Sequence, residues 1–163
     1  MRPRYDEFMT QEDMFLRKSL FRRENDLRDK VANDIDGVLS LAGLPCAVDV
    51  KIEELAVKGA TRRSKNAIRM DILVNHGDDC FTIVEVKRVS DIHGLTMAMS
   101  QLLMYEQSIF ENMNAQKVNL IAVIDGPCYP LAFNMCKRKG LDIKFMLARS
   151  GGLSLVEMVE MAG

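Results

Sequence analysis

The chain has 163 residues, room for one domain with a real core, and its 48% hydrophobic and 28% charged residues are the balance of an ordinary globular protein. A net charge of −1 supplies no global positive field, so a polyanion would have to be met by a local basic patch or through a bound cation. No run nears the roughly 20 apolar residues that span a bilayer, residues 1–7 lack an apolar signal core, and Cys46, Cys80, Cys128 and Cys136 stand apart without a Cys-x-x-Cys pair. A cytoplasmic protein with free thiols and no membrane partner is the expectation.

Residues 1–11 are a polar lead-in. From 12 to 41 the pattern is helical: Leu20, Glu24, Leu27, Val31, Ile35, Val38 and Ala42 recur in steps of three and four, with Glu24 in an apolar slot. Gly43 and Pro45 stop the helix. Residues 47–55 alternate as a half-exposed strand, and 58–66 form a basic loop. Strands at 68–75 and 80–89 flank His76–Asp79, a hairpin signal. A second helix is expected at 95–112, a β-branched central strand at 118–124, and a turn at Asp125–Pro127. A third helix at 129–139 is closed by Gly140; a fifth strand follows at 143–148, then a flexible break at 150–152 and a short final helix over 153–161. This order predicts a single α/β domain over 1–163, with a mixed central sheet of about five strands flanked by helices.

Charged residues interrupt two adjoining apolar strands. Asp71 shares a face with Arg69 and Leu73; Glu85 and Lys87 share a face with Phe81 and Ile83, while Thr82, Val84 and Val86 point the other way. A carboxylate buried without a partner costs several kcal/mol, so acids in such places pair or bind metal. A hairpin brings neighbouring strands within about 5 Å, so Asp71 and Glu85 could reach one divalent cation, with the Val86 carbonyl as a third protein ligand. Lys87 would then stand beside the water or the phosphate. The bland alternative is a hairpin with its charges in solvent and only its other face buried.

Three further features bear on the choice. Glu24 is either aimed at that site or bridged to an arginine such as Arg28. Gln101 and Tyr105 lie one helical turn apart on one face, either as core and flank or as groups that support Lys87 and phosphate. Arg62, Arg63 and Lys65 precede the Asp71 strand, with Arg69 at its start, in a place that suits phosphate contacts; Arg17, Lys18, Arg22 and Arg23 cluster before Glu24. Lys137, Arg138 and Lys139 suit the C-terminal end of a helix.

Taken in order, Glu24, Asp71, Glu85-Val86-Lys87 and Gln101-x-x-x-Tyr105 resemble the PD-(D/E)xK nuclease superfamily, the restriction-endonuclease-like fold, and within it RecB-type domains and the nuclease domains of type I restriction subunits. The resemblance spans roughly residues 21–124. Met70 stands where the pattern often has proline. The resemblance implies a restriction-endonuclease-like core and Mg²⁺- or Mn²⁺-dependent cleavage of DNA, in a small enzyme of phage, mobile-element or repair type. Asp71, Glu85 and Lys87 would be catalytic, Glu24 auxiliary, and Gln101 and Tyr105 supporting. A catalytically inactive member of the same fold, binding DNA or a partner protein, is the alternative. A homodimer would suit paired cuts.

Overall fold

The computed structural model describes residues 24–55, 69–88, 92–125, 130–149 and 152–155. Its helices are α1 (Glu24–Asn33), α2 (Ile35–Leu41), α3 (Ile92–Met113) and α4 (Pro130–Lys139). Its strands are β1 (Asp49–Leu55), β2 (Arg69–Gly77), β3 (Cys80–Lys87), β4 (Lys117–Ile124), β5 (Ile143–Arg149) and β6 (Gly152–Leu155).

The strands form one mixed sheet in the order β1-β2-β3-β4-β5-β6. β1, β2 and β3 make an antiparallel meander. β4 and β5 then run parallel to β3, each reached through a helix as a parallel crossover requires, and β6 turns back antiparallel to β5. Helices cover both faces. Leu95, Met99, Leu102, Tyr105 and Ile109 of α3 and Cys136 of α4 pack on Leu73, Phe81, Ile83, Leu120, Ala122 and Phe145. Leu27 and Val31 of α1 and Ile35, Val38 and Leu39 of α2 pack on Ile72, Val74, Val84, Val86, Ile121 and Val123. β3 and β4 are therefore buried on both sides, which is why they read as near-continuous apolar runs.

Local signals set the ends of the elements. At Gly43 (φ 70°) the Leu44 N–H bonds Leu39 O and the Gly43 N–H bonds Ser40 O. Gly140 (φ 66°) repeats the pattern after α4, with Leu141 N–H to Cys136 O and Gly140 N–H to Lys137 O. Both are left-handed caps that satisfy the last carbonyls of a helix. The basic run Lys137–Lys139 lies in the last turn of α4, as its charge suits. In the β2–β3 hairpin, Asp78 (φ 52°) and Asp79 (φ 57°) form the two-residue turn, both left-handed, which matches the twist of the strands.

Three expectations are corrected. The helix expected over 12–41 is interrupted within its described part: Asp34 leaves helical geometry (φ −118°, ψ 38°) and separates α1 from α2. The buried stripe nonetheless continues through Leu27, Val31, Ile35, Val38 and Ala42, so the interruption preserves the face. The sheet has six strands among the described residues, not about five. The helix expected from Leu153 starts instead as strand β6, where pairing of Gly152–Leu155 with Met146–Arg149 overrides local spacing. Residues 156–163, the 1–11 lead-in, the basic cluster at 17–23 and the loop at 58–66 lie outside the described residues.

Candidate active site

Past a register shift between Asn75 and Gly77 beside the turn, β2 and β3 pair regularly from Asn75↔Phe81 to Ile72↔Val84. One residue beyond, a side chain takes over: the Val86 N–H donates to Asp71 Oδ2 at 2.9 Å. On its other side β2 pairs Ile52↔Ile72 and Glu54↔Met70 with β1, while Glu53 between them holds a left-handed backbone (φ 55°). The alternation of faces slips at the same place. Met70 and Leu73 both belong to the α3 side of the core, Ile72 and Val74 to the other. Asp71 therefore occupies a dislocation: the β2–β3 ladder has ended there, and the β1–β2 ladder, whose register is the same on either side, lacks the pair at Glu53.

Glu85 stands across from that dislocation. Alternation with Phe81 and Ile83 turns it toward α3, and it is 3% exposed. The half-exposed hairpin reading is thereby excluded for Glu85, because β4 and α3 close over this strand. Lys87 Nζ lies 3.8 Å from Glu85 Oε1, with the lysine side chain 18% exposed. From Glu85 onward the strand keeps its backbone pairing with β4, through Glu85↔Ala122, Val86↔Val123 and Lys87↔Ile124.

Tyr105 of α3 joins the corner from above. Its hydroxyl donates to the Arg69 carbonyl at 2.8 Å and so ties α3 to the start of β2. Its phenol is pushed well above the ordinary tyrosine value, first by burial and then by the negative charges of Glu85 and Asp71. The charges of both carboxylates thus bear on one phenol. Gln101, one turn earlier, has a buried Oε1 with no hydrogen-bond partner among the described residues.

The remaining sequence candidates divide into those placed and those not. Glu24 heads α1, whose Leu27 and Val31 pack on the sheet face opposite α3; its side chain lies outside the described set. Arg28, the alternative partner named for Glu24, bonds Glu53 at 2.7 Å and Asp29 at 3.0 Å. Arg69 is described, and its backbone is engaged by Leu55 and Tyr105. Arg62, Arg63 and Lys65 lie outside the described residues, as do Arg17, Lys18, Arg22 and Arg23.

One pair escaped sequence reading. Arg88 Nε donates to Asp125 Oδ2 at 3.1 Å, and the Asp125 side chain is 1% exposed. The residues are 37 apart in sequence, and only the parallel register of β3 with β4 brings them together. The available signal was an acid closing the most apolar strand of the chain.

Asp71, Glu85 and the Val86 carbonyl are the oxygen groups from which a small hard cation could be held. Among the described residues no group of three or more His, Cys, Asp or Glu side chains converges as a metal cage. Two carboxylates with a backbone carbonyl is the sparse oxygen set that Mg²⁺ accepts, since it retains several waters. Among the described residues no helix is long and apolar enough to cross a membrane. Comparison with protein-family models, with curated proteins and with solved structures gives no match.

Proposed function

We propose that the chain is a divalent-cation-dependent deoxyribonuclease that hydrolyses DNA phosphodiester bonds at the Asp71–Glu85–Lys87 corner. The observation that carries this reading is the dislocation of β2: its ladder with β3 ends at the residue whose carboxylate then accepts the Val86 N–H of β3. An apolar sheet gains nothing in stability by burying Glu85 beside Asp71. The arrangement of motifs in order along helix, strand, strand and helix, with the resemblance it carries, supplies the substrate class.

Asp71, Glu85 and the Val86 carbonyl would hold Mg²⁺ or Mn²⁺. When bound, the cation would supply Lewis acidity toward phosphate and a water of lowered pKa. Asp71 Oδ2, anchored on the Val86 N–H, fixes where its second oxygen can point. Glu85, enclosed by α3 and β4, keeps solvent from competing for its carboxylate. Lys87 is a compact ammonium with three donors; it orients the attacking water and offsets charge that grows on the phosphate as the new P–O bond forms and the ester P–O bond breaks. Tyr105 holds α3 and the Asp71 strand in fixed relation through Arg69. Arg62, Arg63 and Lys65, which precede the Asp71 strand in sequence, would contact flanking phosphates.

Supercoiled, linear and single-stranded DNA incubated in Mg²⁺, Mn²⁺ or EDTA, beside Asp71→Ala and Lys87→Ala, tests the reading. Cleavage that requires the cation and disappears in both variants is the expected result. Salt-sensitive DNA binding without cleavage would replace it with a non-catalytic DNA-binding module.

A further inference from the structure

The segment that carries Glu85, Val86 and Lys87 is anchored unevenly. Toward β2 its backbone ladder has ended, and the Asp71 carboxylate on Val86 N–H is the bond that replaces it. Toward β4 the ladder continues and its last pair is Lys87↔Ile124. The next two residues in that register are Arg88 and Asp125, and these meet through side chains: Arg88 Nε to Asp125 Oδ2 at 3.1 Å. The charged bond extends the parallel pairing by one step past the end of both strands.

We propose that Asp125, acting through Arg88, is a positioning residue that holds the end of β3 so that Lys87 stays beside Glu85. This rests on the hydrolytic reading for its consequence in catalysis, but the clamp itself is a property of the fold. An aspartate with 1% of its side chain exposed is costly to bury, and a bond from a partly exposed arginine is an expensive way to gain stability alone. Its return is geometric. A parallel ladder ends in slanted, weaker pairs that fray first, and here the fraying residue carries the ammonium. Lys87 hangs on four rotatable bonds, so its reach is only as well defined as its Cα. With the strand end fixed, the 3.8 Å approach to Glu85 is kept.

The test uses the full chain and two readouts. Amide hydrogen exchange is followed in EDTA for wild type, Asp125→Ala, Asp125→Asn and Arg88→Lys. In parallel, kcat and KM are measured on DNA with Mg²⁺. In Asp125→Ala the amides of Val86, Lys87 and Arg88 are expected to exchange about tenfold faster while those of Phe81–Val84 stay protected, because only the strand end opens. kcat is expected to fall about tenfold or more with KM nearly unchanged, because Lys87 is misplaced and not removed. Arg88→Lys keeps a cation against Asp125 and should restore part of both. Asp125→Asn retains an acceptor oxygen without the charge, and decides the matter if the alanine variant does not fold. Wild-type exchange at the strand end of a folded variant would overturn the proposal, as would faster exchange spread evenly over the whole sheet. If local exchange rises but wild type cleaves no DNA, the clamp stands and the hydrolytic reading falls.

Discussion

β2 and β3 carry polar groups at both ends, and the two ends treat them oppositely. At the turn end, His76, Thr82 and Asn119 form a hydrogen-bonded network. His76 Nε2 lies 2.6 Å from Thr82 Oγ1, His76 Nδ1 lies 3.1 Å from the Cys46 carbonyl, and Asn119 Nδ2 donates to Thr82 Oγ1 and to Phe81 O. The Cys46 carbonyl can only accept, so Nδ1 carries a proton and donates to it, while the Thr82 hydroxyl partners Nε2. Every group there is matched by a complementary one. At the far end, two acids and a lysine crowd around a break in the pairing. The turn end is arranged to hold the sheet together; the far end is arranged to present charge, at a cost the rest of the sheet must carry. Stability and activity should therefore separate along a single pair of strands.

The largest expected effect is at the far end. Glu85→Gln should lower DNA cleavage by about a thousandfold or more, while its melting temperature stays level or rises, because a buried carboxylate has gone. Cleavage rates beside thermal melting followed by circular dichroism would show this; retained cleavage would remove Glu85 from the site. Thr82→Val should do the reverse. It strips His76 Nε2 of its hydroxyl partner and Asn119 of an acceptor, at a cost of about 1–3 kcal/mol in urea unfolding with cleavage per folded molecule unchanged. Tyr105→Phe loses the bond to Arg69 O and should cost about 1 kcal/mol.

Tyr105 also gives the comparison a pH signature. Its folded-state value is raised above the ordinary 10, so its contribution is complete below pH 10 and is lost as the pH climbs above it, where the unfolded chain ionises first. Melting temperatures measured from pH 8 to about 11.5 should fall more steeply for wild type than for Tyr105→Phe. The smallest effect has the opposite sign. Asp79, left-handed in the turn, replaced by glycine should gain roughly 0.5–1 kcal/mol with no change in cleavage.

Much of this architecture could be read from residue order. The stripe of Leu27, Val31, Ile35 and Val38 and the alternation in β3 each report a burial pattern that a short window captures. The same window misses what happens at a single residue. Spacing runs unbroken from Val31 to Ile35, so the change of backbone at Asp34 leaves no trace in it. β6 exists because β5 offers it an edge, and nothing within four residues announces that. Asp71, Glu85 and Lys87 were legible as candidates because charge is out of place in an apolar strand. The slip of Met70 to the α3 side, and the meeting of Arg88 with Asp125, depend on register between segments and become visible only with the sheet in place.

The left-handed Glu53 has a consequence away from the corner it borders. β1 is one outer margin of the described sheet, and a row of unsatisfied amides and carbonyls there would invite another chain to add on. A residue with φ of 55° in the middle of that margin, between the charged Lys51 and Glu54, leaves no long regular rail for such growth. At the opposite margin β6 is only four residues long. The irregularity beside Asp71 thereby also guards the sheet against templating its own aggregation.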